Sequence, residues 1–65
     1  MSQRTDRRAA PLPCVIVEDQ ALFQELLRAM LSLQAGLAIV GTATHVHAGR
    51  QVCDLHPPQL LVLDL

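Results

Sequence analysis

The sequence predicts an α/β fold on a parallel sheet, with elements in the order β-α-β-α-β. Three observations predict it. Short unbroken aliphatic runs stand at 14–17, 37–40 and 60–63, as in strands buried on both faces of a parallel sheet. Between them the apolar residues change to a helical period. The connections are short, which favours right-handed crossovers within one sheet.

Residues 1–13 are a polar leader, with Arg4, Arg7 and Arg8 against Asp6, closed by Pro11 and Pro13. They read as a disordered N-terminal tail. Cys14-Val15-Ile16-Val17 is the first strand. Leu22, Phe23, Leu26, Leu27, Met30 and Leu31 then recur at helical spacing with Gln24, Glu25 and Arg28 opposite, so an amphipathic helix begins near Gln20. Gly36 is placed to close it in a left-handed cap. Residues 37–40 make the second strand, which Gly41 stops. A weaker helix covers 46–55, because Gly49 inside it costs about 1 kcal/mol relative to Ala. Pro57-Pro58 ends that helix. Leu60-Leu61-Val62-Leu63 is the third strand, again of the buried type, and Asp64 stands at its carboxyl end.

Composition excludes several classes of function. A 65-residue chain that is 51% hydrophobic is not disordered, and a net charge of −1 excludes a strongly basic nucleic-acid binder. No secretory leader is visible, so Cys14 and Cys53 are expected to be reduced, small core residues. Residues 29–49 carry no Asp, Glu, Lys or Arg, a length that could span a bilayer. Gln34, Thr42, Thr44, His45 and His47 interrupt that stretch, with Gly36 and Gly41, and it reads as helix, turn and strand. A cytoplasmic location without membrane contact is expected. His45 and His47 form an H-x-H with no second cluster and are expected in a solvent-facing loop. His56 is expected to cover the end of the second helix. The core is almost all aliphatic, with Phe23 the only aromatic residue. That is little for a self-sufficient domain of this size.

Glu18 and Asp19 follow the first strand and Asp64 ends the third. In parallel α/β sheets ligands bind outside the carboxyl ends of the strands. If the two strands are neighbours, all three carboxylates converge on one rim. There they raise one another's pKa unless a cation lies between them. A hard divalent ion suits such oxygen donors, and Mg²⁺ takes one or two carboxylates with waters and phosphate. A carboxylate beside that ion can act as a nucleophile toward a phosphoryl donor. The alternative is that Glu18 and Asp19 only favour the positive end of the first helix, with Asp64 a polar strand end.

The stretch VIVEDQALFQELLRAML, then IVGTA, then HPPQLLVLDL, resembles the N-terminal half of a response-regulator receiver domain. It is most similar to two-component transcription factors with an output domain of the LuxR or NarL/FixJ type. The resemblance covers 14–65 and implies the N-terminal part of a receiver: a partial flavodoxin-like fold, truncated after the third strand, with the strand order beginning 2-1-3. It implies that Asp64 is the phospho-acceptor and that Glu18, Asp19 and Asp64 hold Mg²⁺, Asp19 directly and Glu18 through water. It implies a phosphohistidine on a sensor histidine kinase as donor, and a signalling protein rather than an enzyme. Receiver–receiver association is a further implied partnership, and DNA is reached only through an output domain absent from this chain. Departures are Gln59, where the family usually has an acid, and Gly49 and Arg50 in the second helix. The sequence also has no Lys, whereas the family carries one on a fifth strand, after a Thr or Ser on the fourth. Two rival readings remain. One is a fragment of another doubly wound protein, which would show G-x-G-x-x-G where Glu18-Asp19-Gln20 stands. The other is a stand-alone truncated interaction module that pairs with intact receivers through exposed sheet.

Overall fold

A computed structural model describes residues 10–65 of the chain. The elements are β1 (Leu12–Glu18), α1 (Ala21–Ser32), β2 (Leu37–Ala43), α2 (Val46–Leu55) and β3 (Leu60–Asp64). All pairings are parallel and the strand order is β2-β1-β3. The expected fold class therefore holds, with the order that opens a flavodoxin-like sheet.

β1 occupies the centre and supplies most of the core. Cys14, Val15 and Ile16 are fully buried and Val17 is 2% exposed. Val15, Val17 and Ala43 pack against Val40 and against Ala48, Val52 and Cys53 of α2. Burial of such branched side chains is worth about 1.5–3 kcal/mol each. The strand starts earlier than its aliphatic run. Leu12 donates its N–H to the Gly36 carbonyl at 2.8 Å, and the Gln59 N–H donates to the Pro13 carbonyl at 2.8 Å. Leu12 and Pro13 thus belong to the sheet and not to a disordered tail, while residues 1–9 of that expected tail lie outside the described residues.

Of the two glycines at the sheet–helix contact, Gly41 is expected to stop the second strand and Gly49 to weaken the second helix, and both are there for close approach. β2 does not stop at Gly41 but runs on to Ala43. Gly41 pairs with Val15, and a Cβ on it would strike Val52 Cγ1. Gly49 is the one buried residue of α2, and a Cβ there would stand 2.5 Å from Val17 Cγ2. The pairing also slips by one position between Cys14 and Val15, so that Val40 is passed over.

Gly36 does not form a left-handed cap. No described residue has a positive φ. Instead α1 tightens at its end, with the Leu33 N–H on the Met30 carbonyl at 3.2 Å and the Gln34 N–H on the Leu31 carbonyl at 3.0 Å. α2 has the expected bounds. Its first turn is capped by His45, whose Nδ1 accepts the Ala48 N–H at 3.2 Å. His45 is therefore exposed but not idle, while His47 is exposed as expected but stands in the first turn of α2 and not in a loop. His56 closes the helix through its backbone, its N–H donating to the Val52 carbonyl at 2.8 Å.

The buried character expected of β3 is not realised. Leu61 and Leu63 are 45% and 56% exposed, and only Val62 is half-buried. The reason is coverage: both helices lie on β1 and β2, and neither reaches β3. An open apolar cleft of about 260 Å³ runs between α2 and β3, lined by Val17, Gly49, Cys53, Leu61 and Leu63 among others. α1 is similarly under-packed, with Leu27 and Leu31 half-buried and Phe23, Leu26 and Met30 exposed. Cys14 and Cys53 are free thiols, and burial pushes the Cys14 thiol above its ordinary pKa. Among the described residues, no helix is long and apolar enough to cross a membrane.

Candidate functional site: the carboxylate rim

The parallel register of β1 and β3 places Glu18 directly beside Asp64. Paired positions on neighbouring parallel strands share a face of the sheet, so the two carboxyl-bearing side chains emerge together at the carboxyl edge. Asp19, the next residue, leads into α1 and is exposed, as is Asp64. The three acids expected at one rim are therefore brought to it.

Glu18 differs from its two partners. It is 2% exposed, and its Oε2 accepts the Gln20 N–H at 2.8 Å. That hydrogen bond pulls its pKa down. Burial opposes it, as do the carboxyl groups of Asp64 and Asp19 and the charge of Asp64. The net direction is upward from the ordinary 4.5. The hydrogen bond also gives Glu18 a structural task, because α1 has no side-chain cap at Gln20 and no acid in its first turn. Stabilising the helix start accounts for Glu18 alone. It does not account for Asp64, which arrives from the far end of the chain at the matching register.

As they stand, no three or more His, Cys, Asp or Glu side chains among the described residues are disposed to hold a metal ion. The donor chemistry nevertheless suits a hard cation. All the donors are carboxylate oxygens, with one carboxyl buried and hydrogen-bonded and the other two exposed beside it. Burial is the larger cause that raises Glu18, and the lesser share from the charge of Asp64 is what a divalent ion would neutralise.

Two residues of the rim were not singled out by sequence. Gln20 engages Glu18 through its backbone, for which a side-chain pattern carries no signal. Gln24 has the helical phase of the polar side of α1, yet it is half-buried and its Nε2 donates to the Ala43 carbonyl at 2.7 Å. Comparison of the chain with protein-family models, with curated proteins and with solved structures gave no match.

Proposed function

We propose that this chain is the N-terminal part of a response-regulator receiver domain, with Asp64 as phospho-acceptor and Glu18, Asp19 and Asp64 as the Mg²⁺ site. The observation that carries the reading is the register match of Glu18 with Asp64, which gathers three carboxylates at the sheet edge where α/β proteins bind ligands. In this reading an Asp64 carboxylate oxygen attacks the phosphorus of a phosphohistidine on a sensor histidine kinase. The P–N bond breaks, the imidazole leaves, and an acyl phosphate forms on Asp64. Bound Mg²⁺ supplies neutralisation of the phosphoryl charge. Glu18, held by the Gln20 N–H, keeps one carboxyl at a fixed place, while Asp19 provides the more accessible oxygen. The protein is then a cytoplasmic signalling component rather than an enzyme, and DNA is contacted through an output domain, not through these residues.

The test is phosphate incorporation from a phosphorylated sensor kinase or a small phosphodonor in the presence of Mg²⁺. Asp64→Asn should abolish labelling, since it removes the nucleophile. Undiminished labelling of that variant would overturn the assignment. A second reading, a module that pairs with an intact receiver, is favoured by the bare leucines of β3 and by its outer edge, which pairs with no strand among the described residues. Sedimentation of the chain with and without an intact receiver separates the two.

A further inference from the structure

We infer that Gln24 is a positioning residue for the carboxylate rim, acting by tying the start of α1 to the end of β2. The inference rests on the rim being a cation site, and goes beyond it by naming a group that touches no cation.

Three observations carry it. First, α1 has no buried residue, no side-chain cap and no acid in its first turn, so packing does little to hold its amino-terminal end. Second, that end is held by two hydrogen bonds from outside the helix ladder: the Gln20 N–H on Glu18, and Gln24 Nε2 on the Ala43 carbonyl at 2.7 Å. Third, the Gln24 bond spans 19 positions, whereas the other side-chain hydrogen bonds among the described residues span one to three. It is the side-chain bond that fixes α1 against the sheet. Ala43 ends β2 at the same carboxyl edge as Glu18 and Asp64. Gln24 lies one helical turn after Gln20. Anchoring it sets where the Asp19–Gln20 corner sits, and therefore where the Gln20 N–H meets Glu18 and where Asp19 projects.

Gln24→Met tests this, because it keeps a long unbranched side chain with good helix propensity and removes both N–H donors. In the cation-free protein, amide exchange at Gln20 should quicken by roughly three- to tenfold, the worth of one neutral hydrogen bond, while amides of β1 and α2 keep their rates. Mn²⁺, used as the probe cation, should bind about tenfold more weakly, as when an outer-shell partner of a metal ligand is lost. Gln51→Met, an exposed change on α2, should alter neither quantity. Exchange that quickens uniformly across the sheet would overturn the inference, since Gln24 would then serve general stability. Unchanged Gln20 exchange and unchanged Mn²⁺ affinity in Gln24→Met would overturn it while leaving the cation site intact. If the unaltered protein binds no Mn²⁺ but Gln20 exchange still quickens, the cation reading fails and the positioning of Gln20 stands.

Discussion

β1 and β3 are neighbouring parallel strands of similar composition, and they end in acids that face each other across the ladder. Their environments are nevertheless opposite. From Cys14 to Glu18 every residue of β1 is buried, whereas in β3 only Val62 is even half-covered. β1 has a strand on each side and touches both helices, while among the described residues β3 has one strand beside it and no helix. An aliphatic run therefore records what a strand is suited to, and the neighbours decide whether that suitability is used. The same contrast runs through the site. Glu18 on β1 is held by burial and a hydrogen bond, and Asp64 on β3 stays accessible.

The comparison can be broken most directly by truncating one residue in each strand. Ile16→Ala in β1 should cost about 2–5 kcal/mol, enough to abolish a cooperative urea transition in a chain of this size. Leu63→Ala in β3 should cost less than about 1 kcal/mol, because more than half of that side chain already meets water. Equal losses would mean that β3 is covered in solution by association, and sedimentation would then show it.

A smaller effect is expected at the contact of β1 with α2. Gly49→Ala gains about 1 kcal/mol of helix propensity but drives a methyl group into Val17, whose branched side chain has little freedom to move. Overpacking of this kind costs about 1–3 kcal/mol, so the variant should melt lower than the parent. Adding Val17→Ala should restore part of the loss in a double-mutant cycle. Gly36→Ala, where a Cβ meets nothing within 4 Å, should leave the melt unchanged or raise it slightly. A stabilised Gly49→Ala would place α2 further from β1 than described.

The smallest effect concerns the acids. Without divalent cations, the Glu18 carboxyl should titrate above its ordinary 4.5 when followed by carboxyl carbon shifts. Asp64→Asn should bring that midpoint down by removing a neighbouring charge. The sign for stability follows from proton linkage. The folded chain keeps this proton to higher pH than the unfolded chain, so the contribution of Glu18 is favourable below the ordinary value and is lost as pH rises through the folded one. A Glu18 midpoint indifferent to Asp64→Asn would separate the two carboxyls.

What the sequence made legible were quantities local to a run of residues. Period and apolar composition located all five elements, and the bounds of α2 agreed with the expectation. The acids were found because their place after an aliphatic strand is itself a sequence feature. Properties set between elements were not legible. Gly41 and Gly49 looked like a stop and a weak point because propensity is intrinsic, whereas their use is the approach of α2 to β1. Gln24 looked like a solvated helix residue because its acceptor, the Ala43 backbone carbonyl, has no signature. Gly36 invited a left-handed cap that α1 did not need once its last turn tightened. Leu61 and Leu63 were expected to be buried because composition does not say which strand the helices will cover.

The central place of β1 also has a consequence in time. Its first partner lies one crossover away, where Leu12 meets Leu37, and its second lies two crossovers away, where Glu18 meets Asp64. The closed loop roughly doubles between the two pairings, which adds only about 0.6 kcal/mol of closure entropy. On a ribosome adding about 5–20 residues per second, however, the second partner emerges seconds after the first. During that interval β1 exposes to the cell the edge that β3 will take, with Glu18 at its tip and no Asp64 yet beside it. The carboxylate rim is therefore assembled after the β1–β2 pair, and it comes into being in the same step that adds β3 to β1.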